Sequence, residues 1–157
     1  ATWVLSDTIN RINNNSMVIE FSDSHKIIKS LFKKQGNWRR HFSGGTNPLS
    51  SLKIAFSNLK TLKFKENVNH LFCFIITDGM WQYHNGCNNI IKVMNRFGIE
   101  TILVNVGSSI KEEHNCKVVI KVESFDEVEE KLVNWLKKTE KDITQKLRNI
   151  YNIKTID

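Results

Sequence analysis

Two histidine and cysteine pairs, His84-x-x-Cys87 and His114-x-Cys116, carry the nitrogen and sulfur donors that a tetrahedral zinc ion takes. His84 and Cys87 also have the composition of a base and a nucleophile, but nothing around them supplies an oxyanion hole or a third orienting group. The chain therefore reads as a binding protein and not as an enzyme. Asp78 poses a different question, because it ends the apolar run Phe74-Ile75-Ile76-Thr77 with a carboxylate followed by Gly79. Just beyond it stand Trp81, Tyr83 and His84, rings of the kind that anchor a protein partner. Packing against the next helix is the alternative use of the same rings, and Trp38 is a further candidate for the same rim.

The elements that must position these residues alternate in type. Leu5, Ile9 and Ile12 recur at helical spacing, which predicts an amphipathic helix over residues 2–13. Residues 17–21 and 25–31 predict two strands joined by Ser22-Asp23-Ser24 as an antiparallel hairpin. Residues 33–45 have no period and three glycines, and predict a long loop. Asn47 as cap and Pro48 at the first helical position then open a helix with Leu49, Leu52, Phe56 and Leu59 on one face. The run 70–77 is apolar at nearly every position, as a strand covered on both faces must be. A helix over 87–97 closed by Gly98, a strand over 100–106, a turn over 108–114 and a strand over 117–122 follow. Ser124-Phe125-Asp126-Glu127 has the form of a capping box, opening a stripe through Val128, Leu132 and Leu136.

Apolar strands separated by crossover helices require a three-layer, Rossmann-like open sheet, mostly parallel, with helices on both faces and the antiparallel hairpin at one edge. Ligands of such sheets bind outside the carboxyl ends of the strands. That rule puts the Ser43-Gly44-Gly45-Thr46 loop and the Thr77-Asp78-Gly79 turn at one edge. It separates the zinc candidates, since 84–87 follow a strand and 114–116 precede one, and leaves them as polar loop residues. Ile143, Leu147 and Ile150 extend helical spacing beyond residue 138. Residues 139–157 are thus a helical extension, either continuous with the preceding helix or folded back as a separate one.

The chain has 157 residues, 40% of them hydrophobic and 25% charged, which is the composition of one folded domain with a real core. No stretch reaches the roughly 18 apolar residues that a membrane span needs, and the first residues lack the pattern of a signal peptide. Three cysteines, Cys73, Cys87 and Cys116, fit no disulfide framework and suggest reduced thiols and a cytoplasmic location. The 23 basic and 16 acidic residues give a net charge of +7. A basic nucleic-acid-associated protein is therefore the alternative reading, although the lysines are scattered and no stripe alternates them with aromatics.

The Phe21-Ser22-Asp23 turn, Gly44-Gly45-Thr46-Asn47-Pro48 opening a helix, Ile75-Ile76-Thr77-Asp78-Gly79 closing a strand, and Ile102-Leu103-Val104-Asn105-Val106-Gly107 resemble, in order and spacing, a von Willebrand factor A (vWA) domain over residues 2–138. The resemblance implies a protein-binding module with adhesion or assembly roles, including adaptors of larger complexes. It also implies a metal-ion-dependent adhesion site in which Thr46 contributes a hydroxyl and Asp78 a carboxylate to magnesium, with Gly44, Gly45, Asn47, Gly79, Trp81, Tyr83 and His84 facing the partner. Magnesium favours such hard oxygens and leaves positions open for water or a partner's carboxylate. A threonine before a helix and an aspartate in a strand-end turn also bond their own backbone, which is the plainer role for both.

One departure from the family bears on that site. Its D-x-S-x-S motif, which ends the central first strand, occurs nowhere in this sequence. A central strand left out would strand buried backbone groups at roughly 1–3 kcal/mol each. The expectation is that the chain is the C-terminal portion of a longer polypeptide, or pairs with a strand from another segment. Magnesium would then bind only if the missing ligands came from outside this chain. The expected partner is a protein engaged through the C-terminal edge of the sheet, and through the C-terminal helix as a second contact, with no membrane involved.

Overall fold

The computed structural model describes residues 16–30, 46–65, 70–78, 80–107 and 114–156. The expected helix over 2–13, the loop 33–45 with Trp38, Gly44 and Gly45, the residue Gly79 and most of the turn over 108–114 lie outside the described residues. In chain order the elements are β1 (Val18–Phe21), β2 (His25–Lys29), α1 (Leu49–Lys65), β3 (Leu71–Thr77), α2 (His84–Arg96), β4 (Ile99–Val106), β5 (Val118–Val122), a single 3-10 turn (Phe125–Glu127) and α3 (Val128–Ile156).

Three parallel strands form the main sheet in the order β3-β4-β5, with Cys73 opposite Thr101 and Val104 opposite Ile120. Alternation along each strand sorts the side chains into two cores. Leu71, Cys73, Ile75, Ile99 and Leu103 pack with Leu52 and Leu62 of α1 and with Cys87, Ile91 and Met94 of α2. Ile102, Val104, Val106 and Val122 pack on the opposite face with Val128 and Leu132 of α3, and Trp135 meets Phe72 and Phe74 edge-on there. β4 is consequently buried almost throughout, Thr101 and Asn105 included, because both of its faces are covered. Burying each of these large side chains contributes about 1.5–3 kcal/mol.

The hairpin is a two-stranded sheet of its own and not an edge of the main sheet. It still shares a core, since Phe21 packs against the α1 and α2 cluster. Among the described residues β3 is paired with β4 alone.

Local chemistry explains where the elements start and stop. The Asn47 Oδ1 accepts the N–H of Leu49 at 3.2 Å, the cap that the sequence predicts. α2 begins at His84, three residues before the apolar period becomes visible at Cys87. His84, Asn85 and Gly86 carry nothing apolar, so periodicity could not find this first turn. Gly86 is there for proximity: a Cβ on it would lie 3.2 Å from Leu49 Cδ1, so α1 and α2 approach closely. Gly98, at φ +88°, closes α2 in the left-handed conformation.

The capping box is displaced by one residue. Glu127 Oε2 accepts from the N–H of Glu123 at 2.9 Å rather than from Ser124, because the 3-10 turn tightens the chain before α3. Of the two alternatives for the tail, the continuous one holds: α3 has 29 residues and is about 43 Å long.

Candidate functional site

The carboxyl ends of β1 and β3 meet at a rim tied together by backbone. The Asn47 N–H donates to the carbonyl of Ser22 at 2.7 Å, and the Gln82 N–H donates to the carbonyl of Thr46 at 2.8 Å. The residues before α1 thereby bridge the turn after β1 to the segment after β3. Thr46 and Asn47 are half-buried in this bridge, while Asp78 is exposed, one residue beyond the end of β3. Two segments distant in sequence, 46–47 and 78–84, thus share one edge of the sheet. His25 Nδ1 lies 2.9 Å from Ser50 Oγ and adds a second tie between the hairpin and the start of α1.

Trp81 departs from expectation. It is 5% exposed and belongs to the core under α1 and α2. Its Nε1–H donates to Thr77 Oγ1 at 3.3 Å, and its indole stacks on the imidazole of His114 with centroids 3.7 Å apart and planes 13° from parallel. A ring so enclosed serves packing, and Trp81 is corrected from a partner-facing residue to a core one. The same stack alters the picture of the histidines. His114, which precedes β5, is buried against the ring that leads into α2, whereas His84 is exposed on α2 itself.

What remains exposed at the rim is Tyr83, at 65%, and Met80, at 75%, together with Asp78 and His84. Tyr83 sits at φ 53°, a left-handed conformation that is strained for a side-chain-bearing residue. It occupies the position before α2 with no side-chain cap of its own. Sequence reasoning passed over Met80, since a turn residue beside a glycine has no period to assign it a side.

The thiols are all held protonated. Burial pushes Cys73 up to about 12, with Cys116 nearby adding to the effect. Burial likewise raises Cys116 to about 12 against a hydrogen bond to Thr101, and Cys87 to about 11. A buried neutral thiol is a poor nucleophile and a poor metal ligand, because both tasks need the thiolate. Among the described residues, no group of three or more His, Cys, Asp or Glu side chains is placed to hold a metal ion. The two oxygen donors that the resemblance assigns, the Asp78 carboxylate and the Thr46 hydroxyl, do not by themselves make a magnesium site.

A polar cluster around the buried Thr101 fixes the entry side of the sheet. Thr101 Oγ1 donates to Asn95 Oδ1 at 2.7 Å and accepts the Lys117 N–H at 3.1 Å, while Asn95 Nδ2 donates to the Asn115 carbonyl at 2.8 Å. These bonds hold the end of α2 against the entry to β5. They are structural.

No protein-family description matches the chain, and no curated protein sequence matches it. Among solved structures it is similar to proximal thread matrix protein 1 from the mussel byssus in two crystal forms. The first superposes with a TM-score of 0.57 at 16% identity, covering 82% of this chain and 37% of that one. The second gives 0.52 at 15% identity with the same coverage. The chain thus spans little more than a third of the length of these neighbours, and the likeness is one of fold: a vWA-like α/β arrangement with helices on both faces of a parallel sheet.

Proposed function

We propose that the chain is a protein-binding module of vWA type, with no enzymatic activity, whose contact surface is the rim formed by Thr46, Asn47, Asp78, Met80, Tyr83 and His84. The hydrogen bond from Gln82 N–H to the Thr46 carbonyl carries this reading, because it joins both loops into one surface at the carboxyl edge of the sheet. Exposed Tyr83 and Met80 supply the apolar anchors of such a surface, and Asp78 a charge at its edge. The matrix protein of the mussel byssus among the structural neighbours is consistent with an interaction role. Magnesium binds at Asp78 and Thr46 only with oxygen ligands supplied from outside this chain.

Two measurements test the proposal. Magnesium titrated into the chain alone, followed by calorimetry, should give no saturable binding; tight binding lost in Asp78→Asn would show that the chain holds its own complete ligand set. Proteins retained by the immobilised wild type are then compared with those retained by a Met80→Ser, Tyr83→Ser double variant. A specific partner disappears with the double variant and persists with the distal Lys138→Ala variant. Equal retention by all three removes the rim from the interface.

A further inference from the structure

α1 and α2 carry charge of one sign only. Those two helices contain six cations, Lys53, Lys60, Lys63, Lys65, Lys92 and Arg96, and no aspartate or glutamate. Taking those six from the 23 basic residues of the chain leaves 17 against 16 acidic ones, so these two helices sum to +6 and the rest of the chain to +1. α3, on the other face, mixes both signs.

Lys63, Lys65 and Arg96 stand in the last turns of α1 and α2, which end side by side. Lys63 Nζ donates to the Phe97 carbonyl at 2.7 Å, and Phe97 meets Phe56 and Phe64 edge-on at 5.7 and 5.5 Å between centroids. Phe97 and Gly98 lead directly into β4, which places this end at the edge of the sheet opposite the Thr46 and Asp78 rim. Cations in the last turn of a helix complement its dipole, which accounts for Lys63, Lys65 and Arg96. That effect does not call for Phe64, a large apolar ring 73% exposed among them. Nor does it call for the absence of acids along both helices. Val93, half-exposed one turn before Phe97, adds to the apolar surface.

We propose that the paired C-terminal ends of α1 and α2 form a docking surface for an acidic protein segment that carries an apolar side chain among its carboxylates. Phe64 is the anchor, and Lys65, Lys92 and Arg96, all exposed, form the cationic surround. Charge complementarity selects the partner's sign. Three observations select its class. Lys60 Nζ lies 4.5 Å over the Phe56 ring and Lys63 Nζ 4.5 Å over the Phe97 ring, so the chain's own lysines occupy ring faces on which nucleobases would stack. Leu52 and Leu62 of α1 are turned into the core, which leaves too narrow an outward apolar surface for a membrane-lying helix. A second copy of this chain would bring +7 against +7.

The test uses the full chain and fluorescence anisotropy with three probes: a labelled peptide of alternating glutamate and leucine, the same peptide with serine for leucine, and a short poly-dT. Phosphatidylserine vesicles are assayed by co-sedimentation. The glutamate-leucine peptide should bind tightest. Phe64→Ser should weaken that binding about tenfold without changing its salt dependence. The Lys65→Glu, Arg96→Glu double variant should abolish it and flatten the salt dependence. Phe64 is largely exposed and meets Phe97 edge-on, so its variant should keep a cooperative melt within a few degrees of the wild type, which separates lost docking from lost fold. Equal binding of both peptides, insensitivity to Phe64→Ser, or tighter binding to poly-dT or to vesicles overturns the proposal. The Met80→Ser, Tyr83→Ser variant retains peptide binding, which keeps this outcome distinct from that of the rim.

Discussion

Replacing Trp81 by alanine removes a side chain that is 5% exposed, stacked on His114 at 3.7 Å and bonded to Thr77. Truncating a buried tryptophan costs about 3–5 kcal/mol, through lost transfer energy and the cavity that incomplete collapse leaves. Against a typical domain stability of about 5–15 kcal/mol, that is enough to bring the fold near its limit. Urea unfolding followed by far-ultraviolet circular dichroism measures it, since the signal does not depend on the tryptophan removed. The free energy extrapolated to water should fall by that amount with the denaturant slope unchanged. Trp81→Phe keeps an aromatic face for His114 but loses the indole donor and some volume, and should cost about 1–2 kcal/mol. A double-mutant cycle with His114→Ala should show a coupling of about 0.5–1.5 kcal/mol from the stack. A loss below about 1 kcal/mol for Trp81→Ala would refute the reasoning, because the cost of truncating a packed indole is several times that. The ring would then lie on the surface, and Trp81 would return to the rim as a partner anchor.

Stability should also fall as pH rises. The folded chain keeps Cys73 and Cys116 protonated to about 12 and Cys87 to about 11, whereas the unfolded thiols ionise near 8.5. Above that value the unfolded state binds fewer protons than the folded one, so each buried thiol lowers stability by about 1.4 kcal/mol per pH unit until its folded pKa is reached. Urea melts at about pH 9 and about pH 10 should show that slope reduced by one thiol's share in Cys73→Ala; an unchanged slope would mean the thiol titrates in the folded chain. Thr101→Val removes the hydroxyl that accepts the Lys117 N–H and donates to Asn95. It should cost about 0.5–1.5 kcal/mol, the net worth of hydrogen bonds whose other partners keep access to water, and a neutral result would show that the entry to β5 relaxes freely.

Much of the architecture follows from patterns that act locally. The run 71–77 is apolar on both alternating sets of positions, and 99–106 carries apolar residues on both sets, which only a strand between two helical layers makes use of. Asn47 and Pro48 mark the start of α1, and Gly98 the end of α2, through the backbone geometry that each residue favours. Ordering of those elements, with the rule that ligands meet the carboxyl ends of parallel strands, leads to Thr46 and Asp78 as neighbours of one edge. The resemblance to a vWA domain adds a role for them.

Two properties of the candidate surfaces were decided by packing. Trp81, Tyr83 and His84 look alike in sequence, as rings after a turn. Yet Tyr83 in its left-handed conformation faces outward, while Trp81 is drawn under α2 and capped by His114, which lies more than 30 positions further along the chain. No local signal reports that encounter. The basic end of α1 and α2 is likewise invisible along the chain, because its lysines are scattered in order and become one field only when two crossover helices lie side by side. Hydrophobic period and backbone chemistry are local properties, and residue order carries them. Exposure and electrostatic field are sums over neighbours distant in sequence, and only the folded packing of the helices on the sheet determines those sums.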